Sequence, residues 1–218
     1  MTEKNTIGPV GPLLRAIDLG FGHHPSHWQF ASFQLTLHAG LTWLQGANGS
    51  GKSTLLQLLG GVLPPMHGQI WVDEHEQGAV PLAYRREVFW MGPGGIALDH
   101  LRGAEFLAFL ATLYPRWSAA ACDEGVRGLA LSKLLGTRVS AMSSGMQRKL
   151  WLAAAVASGT KVVLLDEPLN ALDAAAMEWT LDRLQAAQLD QERAWLVASH
   201  PLPGRRKPAL QLSLRGDA

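Results

Sequence analysis

The sequence predicts an α/β fold built on a mainly parallel sheet, and three observations carry that expectation. Short apolar runs that read as buried strands alternate with helical patterns along the chain. A glycine-rich turn over residues 46–54 joins one such strand to a helix. A helical stretch over about residues 95–155 then breaks the alternation, as an insert would.

Residues 13–19 and 33–37 alternate apolar and polar side chains, the pattern of half-buried strands. Residues 41–45 form a short apolar strand that ends at Gly46, and residues 52–59 read as a helix stopped by Gly60-Gly61 and Pro64-Pro65. Residues 69–72 and 88–91 are further strands. The insert contributes helices over 105–113 and 119–131, and a third runs from just after Ser143 to about Ser158. Two strongly apolar strands follow at 162–165 and 195–198, with a helix over roughly 174–187 between them and a last strand at 211–214. No internal repeat and no low-complexity linker divides the chain.

Composition narrows the function. Lys+Arg 19 against Asp+Glu 18 leaves no basic excess of the kind a phosphate-gripping nucleic-acid binder needs, so no nucleic-acid partner is expected. Cys122 stands alone, which excludes an internal disulfide or a Cys-based zinc site. No run approaches the roughly 18 apolar residues that span a bilayer, and the start lacks the order of a signal peptide. The expectation is a cytoplasmic chain whose membrane role is borrowed from a partner. Eight tryptophans scattered over strands, helices and loops are read as packing residues. His23, His24 and His27 have no acid or cysteine beside them and are read as loop.

Gly46, Ala47, Asn48, Gly49, Ser50, Gly51, Lys52, Ser53 and Thr54 fit G-x-x-x-x-G-K-[ST], the phosphate-binding P-loop. Glycines let the backbone curl so that successive N–H groups point at phosphate oxygens, and the following helix adds its positive end. Lys52 would bridge the β- and γ-phosphates, and the Ser53 hydroxyl would ligate Mg²⁺. At ordinary residue frequencies a chain this long matches the pattern by chance on the order of one time in a hundred. The preceding strand and following helix add to the specificity.

The strand at 162–165 ends in Asp166 and Glu167. A carboxylate at a strand tip beside a P-loop is placed to hold the Mg²⁺ shell, the role given to Asp166. Glu167, one residue on and facing the other way by strand alternation, would polarise an attacking water. Some twenty residues upstream, Met142-Ser143-Ser144-Gly145-Met146-Gln147-Arg148 opens a helix. Ser143 or Ser144 is a good N-cap, and the exposed N–H groups would suit a γ-phosphate.

Together with Ala171-Leu172-Asp173 and Ser199-His200, these segments resemble, in order, the motifs of the nucleotide-binding subunits of ABC transporters, over about residues 13–214. The resemblance implies one ABC-type ATPase domain over 1–218, with an antiparallel N-terminal β part and the helical insert as a subdomain. It implies ATP and Mg²⁺ as ligands, ATP hydrolysis, and two subunits facing head to tail, a homodimer in the simplest case. Ser143, Ser144 and Gly145 would then serve the partner's ATP, Asp173 would link the two sites, and His200 would touch the γ-phosphate beside Glu167. Phe21 sits where the family carries an adenine-stacking aromatic; His23, His24 or Trp28 could substitute. A separate transmembrane permease is the implied partner, and it would hold the chain at the inner face of the cell membrane. Trp90-Met91-Gly92, Leu101, Glu105 and Ser199-His200-Pro201-Leu202 look similar to the compact haem-exporter ATPases of cytochrome c maturation, which favours export.

Two departures stand out. The family's glutamine after the strand at 88–91 falls on Gly94, or on Pro93, and neither side chain can ligate anything. The signature carries Ser144 for its first glycine and Met146 for its glutamine. Turnover is expected to survive through Glu167 and His200, slowly or in dependence on a partner. The alternative class is an ABC-type ATPase acting on ribosomes or DNA. Members of those kinds join two such domains or carry long coiled-coil inserts, and 218 residues leave room for neither. A small-molecule P-loop kinase would leave the signature, Glu167 and His200 unexplained together.

Overall fold

The structure is a computed structural model that describes residues 11–22, 28–94, 96–199 and 210–214. Its elements run β1 (Leu14–Phe21), β2 (Phe30–Leu37), β3 (Gly40–Gln45), α1 (Lys52–Leu59), β4 (His67–Val72), β5 (His75–Glu76), α2 (Pro81–Arg86), β6 (Val88–Met91), α3 (Gly103–Leu113), α4 (Ala119–Gly128), a 3₁₀ turn (Val139–Ala141), α5 (Ser144–Ala157), β7 (Val162–Asp166), α6 (Ala174–Ala187), β8 (Ala194–Ala198) and β9 (Leu210–Ser213). Antiparallel strands form one sheet in the order β2-β1-β4-β5. Parallel strands form the other in the order β6-β7-β8-β3-β9.

The parallel strands are apolar on both faces because both faces are covered. In β7, Val163 and Leu165 enter one core with Trp43, Phe89 and Trp195, while Val162 and Leu164 enter a second with Leu44 and the leucines of α1. β8 divides the same way, Trp195 and Val197 to one side, Leu196 and Ala198 to the other. Leu164 is fully buried, and truncating such a leucine to alanine costs about 2–5 kcal/mol.

The helical insert packs on the first core. Gly125 of α4 lies so close to α5 that a Cβ there would stand 3.0 Å from the Ala153 Cα. Phe106 of α3 and Phe89 of β6 meet the Trp151 ring edge-on, at 5.1 and 5.8 Å. α4 stops at Gly128, short of the expected 131, because Ala130 takes a left-handed φ of 55°. β1 and β2 run longer than expected, pairing out to Phe21 and Phe30.

Parallel strands bring their C-terminal ends to one edge of the sheet. Gln45 of β3, Met91 of β6, Asp166 of β7 and Ala198 of β8 therefore end together, and each leads into a segment the sequence marks as chemical.

Candidate active site

The P-loop leaves β3 and returns as α1, with Gly49 and Gly51 at φ 80° and 92°, where a Cβ would be strained. Gly51 caps α1 without any side-chain hydrogen bond, so the first-turn N–H groups keep their capacity for an anion. Lys52 is buried and folds back to donate to the carbonyls of Gly46 at 2.8 Å and Ala47 at 3.1 Å. Ser50 Oγ is also buried and has no hydrogen-bond partner. Gly49, Gly51 and Lys52 line a cleft of about 360 Å³.

Asn48, Lys52, Ser53 and Thr54 line that cleft from one side, and Asp166 and Glu167 from the other. Glu167 corrects the sequence-based expectation. Its φ of 48° breaks the strand alternation as its N–H bonds Ala198 O at 2.7 Å, and it lines the same cleft as Asp166 instead of facing away. Burial pushes the Asp166 carboxyl above its ordinary pKa. The hydroxyl of Ser53 opposes that shift, the Glu167 charge adds to it, and Lys52 and Arg148 oppose it. Asp166 Oδ2 is buried with no hydrogen-bond partner, beside the Ser53 hydroxyl. Hard oxygen donors with an unsatisfied carboxylate oxygen fit Mg²⁺.

The signature segment stands elsewhere. Ser143 N-caps α5, its Oγ accepting from Met146 N at 3.2 Å. Ser144 is exposed, and Gly145 abuts the Ala171 carbonyl so closely that a Cβ would collide with it. None of Ser143, Ser144 and Gly145 lines the P-loop cleft. Asp173 N-caps α6, accepting from Ala176 N at 2.9 Å, and pairs with Lys149, which holds its carboxyl below the usual range.

Phe21 does not offer the open ring face that stacking needs. It is 8% exposed and belongs to the second core, whereas Trp28 is 45% exposed, its ring 5.3 Å from His67. His200, His23 and His24 lie outside the described residues. Among the described residues no three His, Cys, Asp or Glu side chains cluster as a metal site, and no helix is long and apolar enough to cross a membrane.

Two contributors escaped the sequence reading. Gln29 lines the cleft and lies over Gly51, its Oε1 buried without a hydrogen-bond partner. Arg148, in the second turn of α5, donates to Glu167 O at 2.7 Å and to Asp166 O at 3.3 Å. Nothing in its local sequence marks Gln29, and although Arg148 closes the segment 142–148, its reach to the end of β7 is a matter of tertiary packing.

A P-loop at the edge of a parallel sheet, with a carboxylate pair at a nearby strand tip, defines a P-loop nucleotide-binding protein. Residues 30–170 match the family described as ABC transporter. CcmA, a cytochrome c biogenesis ATP-binding export protein of Cupriavidus pinatubonensis (strain JMP 134 / LMG 1197), is 33% identical over 204 residues, covering 89% of this chain and 87% of the relative. The rat (Rattus norvegicus) phospholipid-transporting ATPase ABCA3 is 33% identical over 171 residues, which is 76% of this chain but 10% of ABCA3, so the chain spans about a tenth of that relative's length. A solved ATP-binding subunit of an ABC transporter superposes with a TM-score of 0.83 at 24% identity, covering 94% of this chain and 88% of that one. The chain belongs to the ABC transporter family, and its fold is that of the family's ATP-binding part.

Proposed function

We propose that the chain hydrolyses ATP as the motor subunit of an exporter, paired head to tail with a second copy and docked on a separate transmembrane permease. The observation that carries this reading is the composition of the cleft. It joins the P-loop to Asp166 and Glu167 and lacks the signature tip at Ser143–Gly145, which a second copy would supply. Export is favoured because relatives of matching length on both sides, such as CcmA of Cupriavidus pinatubonensis, are export proteins.

In this reading Lys52 leaves the Gly46 and Ala47 carbonyls for the β- and γ-phosphates, and the uncapped first turn of α1 holds the phosphate oxygens. Ser53 and Asp166 hold Mg²⁺, which supplies charge neutralisation on the triphosphate. Glu167 orients the attacking water and draws off its proton, with His200 at the γ-phosphate. Trp28, exposed and next in sequence to the cleft residue Gln29, is a better stacking partner for adenine than buried Phe21.

The test compares ATP hydrolysis by wild type and Glu167→Gln in a complex reconstituted with the permease. A loss of roughly 10²- to 10⁴-fold in kcat is expected for removal of a general base. Equal, negligible rates in both would overturn the reading.

A further inference from the structure

The loop that follows β6 is pinned by two consecutive side chains of α5. Gln147 Oε1 accepts from Ile96 N at 3.1 Å, while its Nε2 donates to Val139 O at 3.0 Å and to Met142 O at 3.4 Å. Arg148 Nη2 reaches Pro93 O at 3.4 Å, a long bond, and Nη1 spans to the carbonyls of Asp166 and Glu167. Pro93 itself lines the phosphate cleft. One guanidinium thus bridges the loop after β6, the catalytic end of β7 and the helix whose first turn is the signature.

This bridge stands where the loop has no side chain of its own to make one. A Cβ built on Gly94 meets nothing within 4 Å, so the position at which the resemblance places a glutamine is open space. The planar fork of an arginine donates in several directions at once, and its charge suits the neighbourhood of two carboxylates. Burial lowers the Arg148 pKa, and the Asp166 and Glu167 charges raise it.

Resting on the proposed function, we infer that Arg148 is the positioning residue that ties Pro93, in the loop after β6, and the signature helix to the backbone of Asp166 and Glu167, a link for which Gly94 offers no side chain. The consequence is directional. Ser143 to Gly145 serve the partner's triphosphate, and Arg148, one turn further on, grips this chain's own catalytic backbone. Closure of one composite site therefore sets the geometry of the other.

The test uses the full chain and its permease complex with Arg148→Met, Arg148→Lys and Arg148→Met/Gly94→Gln. In the purified chain, amide hydrogen exchange is followed at Ile96, Glu167 and Asn170, whose N–H groups are hydrogen-bonded, together with binding of a fluorescent ATP analogue. In the complex, kcat and KM are measured. For Arg148→Met, exchange at those amides is expected to rise about tenfold while the rest of β7 stays protected. Analogue affinity should hold within about twofold while kcat falls about tenfold, the split of a group that acts on the transition state alone. Arg148→Lys is expected to fall between, and the added glutamine to recover part of kcat. Unchanged exchange at these amides, or an unchanged kcat, would overturn the inference. So would exchange rising uniformly through α5 and both cores, which would make Arg148 an ordinary packing residue. If the wild-type complex hydrolyses nothing, the proposed function fails, and the exchange pattern still decides whether Arg148 holds the two segments.

Discussion

Burial raises the pKa of the Asp166 carboxyl more than Ser53, Lys52 and Arg148 lower it. The sign of the consequence follows from linkage. A carboxyl with a raised folded pKa contributes stability below its unfolded pKa, and that contribution is lost as pH rises through the folded value. Once ionised in the nucleotide-free chain, Asp166 is therefore a destabilising group, and its unsatisfied Oδ2 is what the proposed Mg²⁺ would need. Asp166→Asn is expected to raise the Tm of the nucleotide-free chain at pH 7 and to abolish Mg²⁺-dependent turnover. A scanning-calorimetry trace beside an ATPase assay checks both, and a lowered Tm would refute the account. Affinity for Mg²⁺ should likewise start to fall, on acidification, at a higher pH than for an ordinary aspartate. At Gly94 the open space means that Gly94→Gln should leave Tm unchanged. If the extra arm reaches the attacking water it should raise kcat about tenfold, below the usual worth of one positioned polar group. Unchanged turnover would show that the missing glutamine does not limit the rate.

Among the elements, those long enough to show a period were legible. α1 and α6 begin and end where glycine, capping and apolar spacing place them, and β6 keeps its expected bounds. β5, α2 and the 3₁₀ turn were not legible, because two, six and three residues are too few to establish a period. The P-loop could be read because its chemistry is local in sequence. The left-handed Glu167 could not, since that conformation is one side chains rarely adopt without tertiary pressure. Phe21 misled for a related reason: aromatic character shows in the sequence, but the face left exposed is settled by packing. Arg193 was equally silent, yet it joins two elements. Its guanidinium donates to the carbonyls of Ala155 and Val156 at the end of α5 and to Thr160 O, and it lies 4.6 Å from the centre of the Trp195 ring in β8. Burial pushes its pKa down to about 10, so it stays charged at pH 7. Arg193→Ala strips charged hydrogen bonds from a helix end and is expected to destabilise the chain by about 2–3 kcal/mol. Chemical denaturation measures that loss, and a change under 1 kcal/mol, roughly the scale of an ordinary neutral hydrogen bond, would mean that water replaces the guanidinium.

At the scale of the whole molecule, the proposed function divides its site between two segments of the chain, the P-loop cleft and the tip of α5. The P-loop cleft has no lining from Ser143, Ser144 or Gly145, and the tip of α5 is braced from behind by the Ala171 carbonyl against Gly145. A positive helix end that is exposed and braced in this way gains by meeting a triphosphate held on another copy. Glu167→Gln, in which hydrolysis is blocked, should therefore double its mass on a sizing column when ATP is added. Ser143→Asp separates this pairing from mere helix integrity. Aspartate caps a helix as well as serine does, so Tm should hold, whereas a serine-to-alanine change costs about 1 kcal/mol, or roughly 2–4 °C in a domain of this size. The new carboxylate would face the partner's γ-phosphate, and like charges at that distance repel. In the Glu167→Gln background, Ser143→Asp is expected to bind ATP with unchanged affinity and to remain a monomer at every ATP concentration. Should that double variant still dimerise with ATP, the helix tip is not part of the sandwich, and the pairing surface lies elsewhere on the molecule.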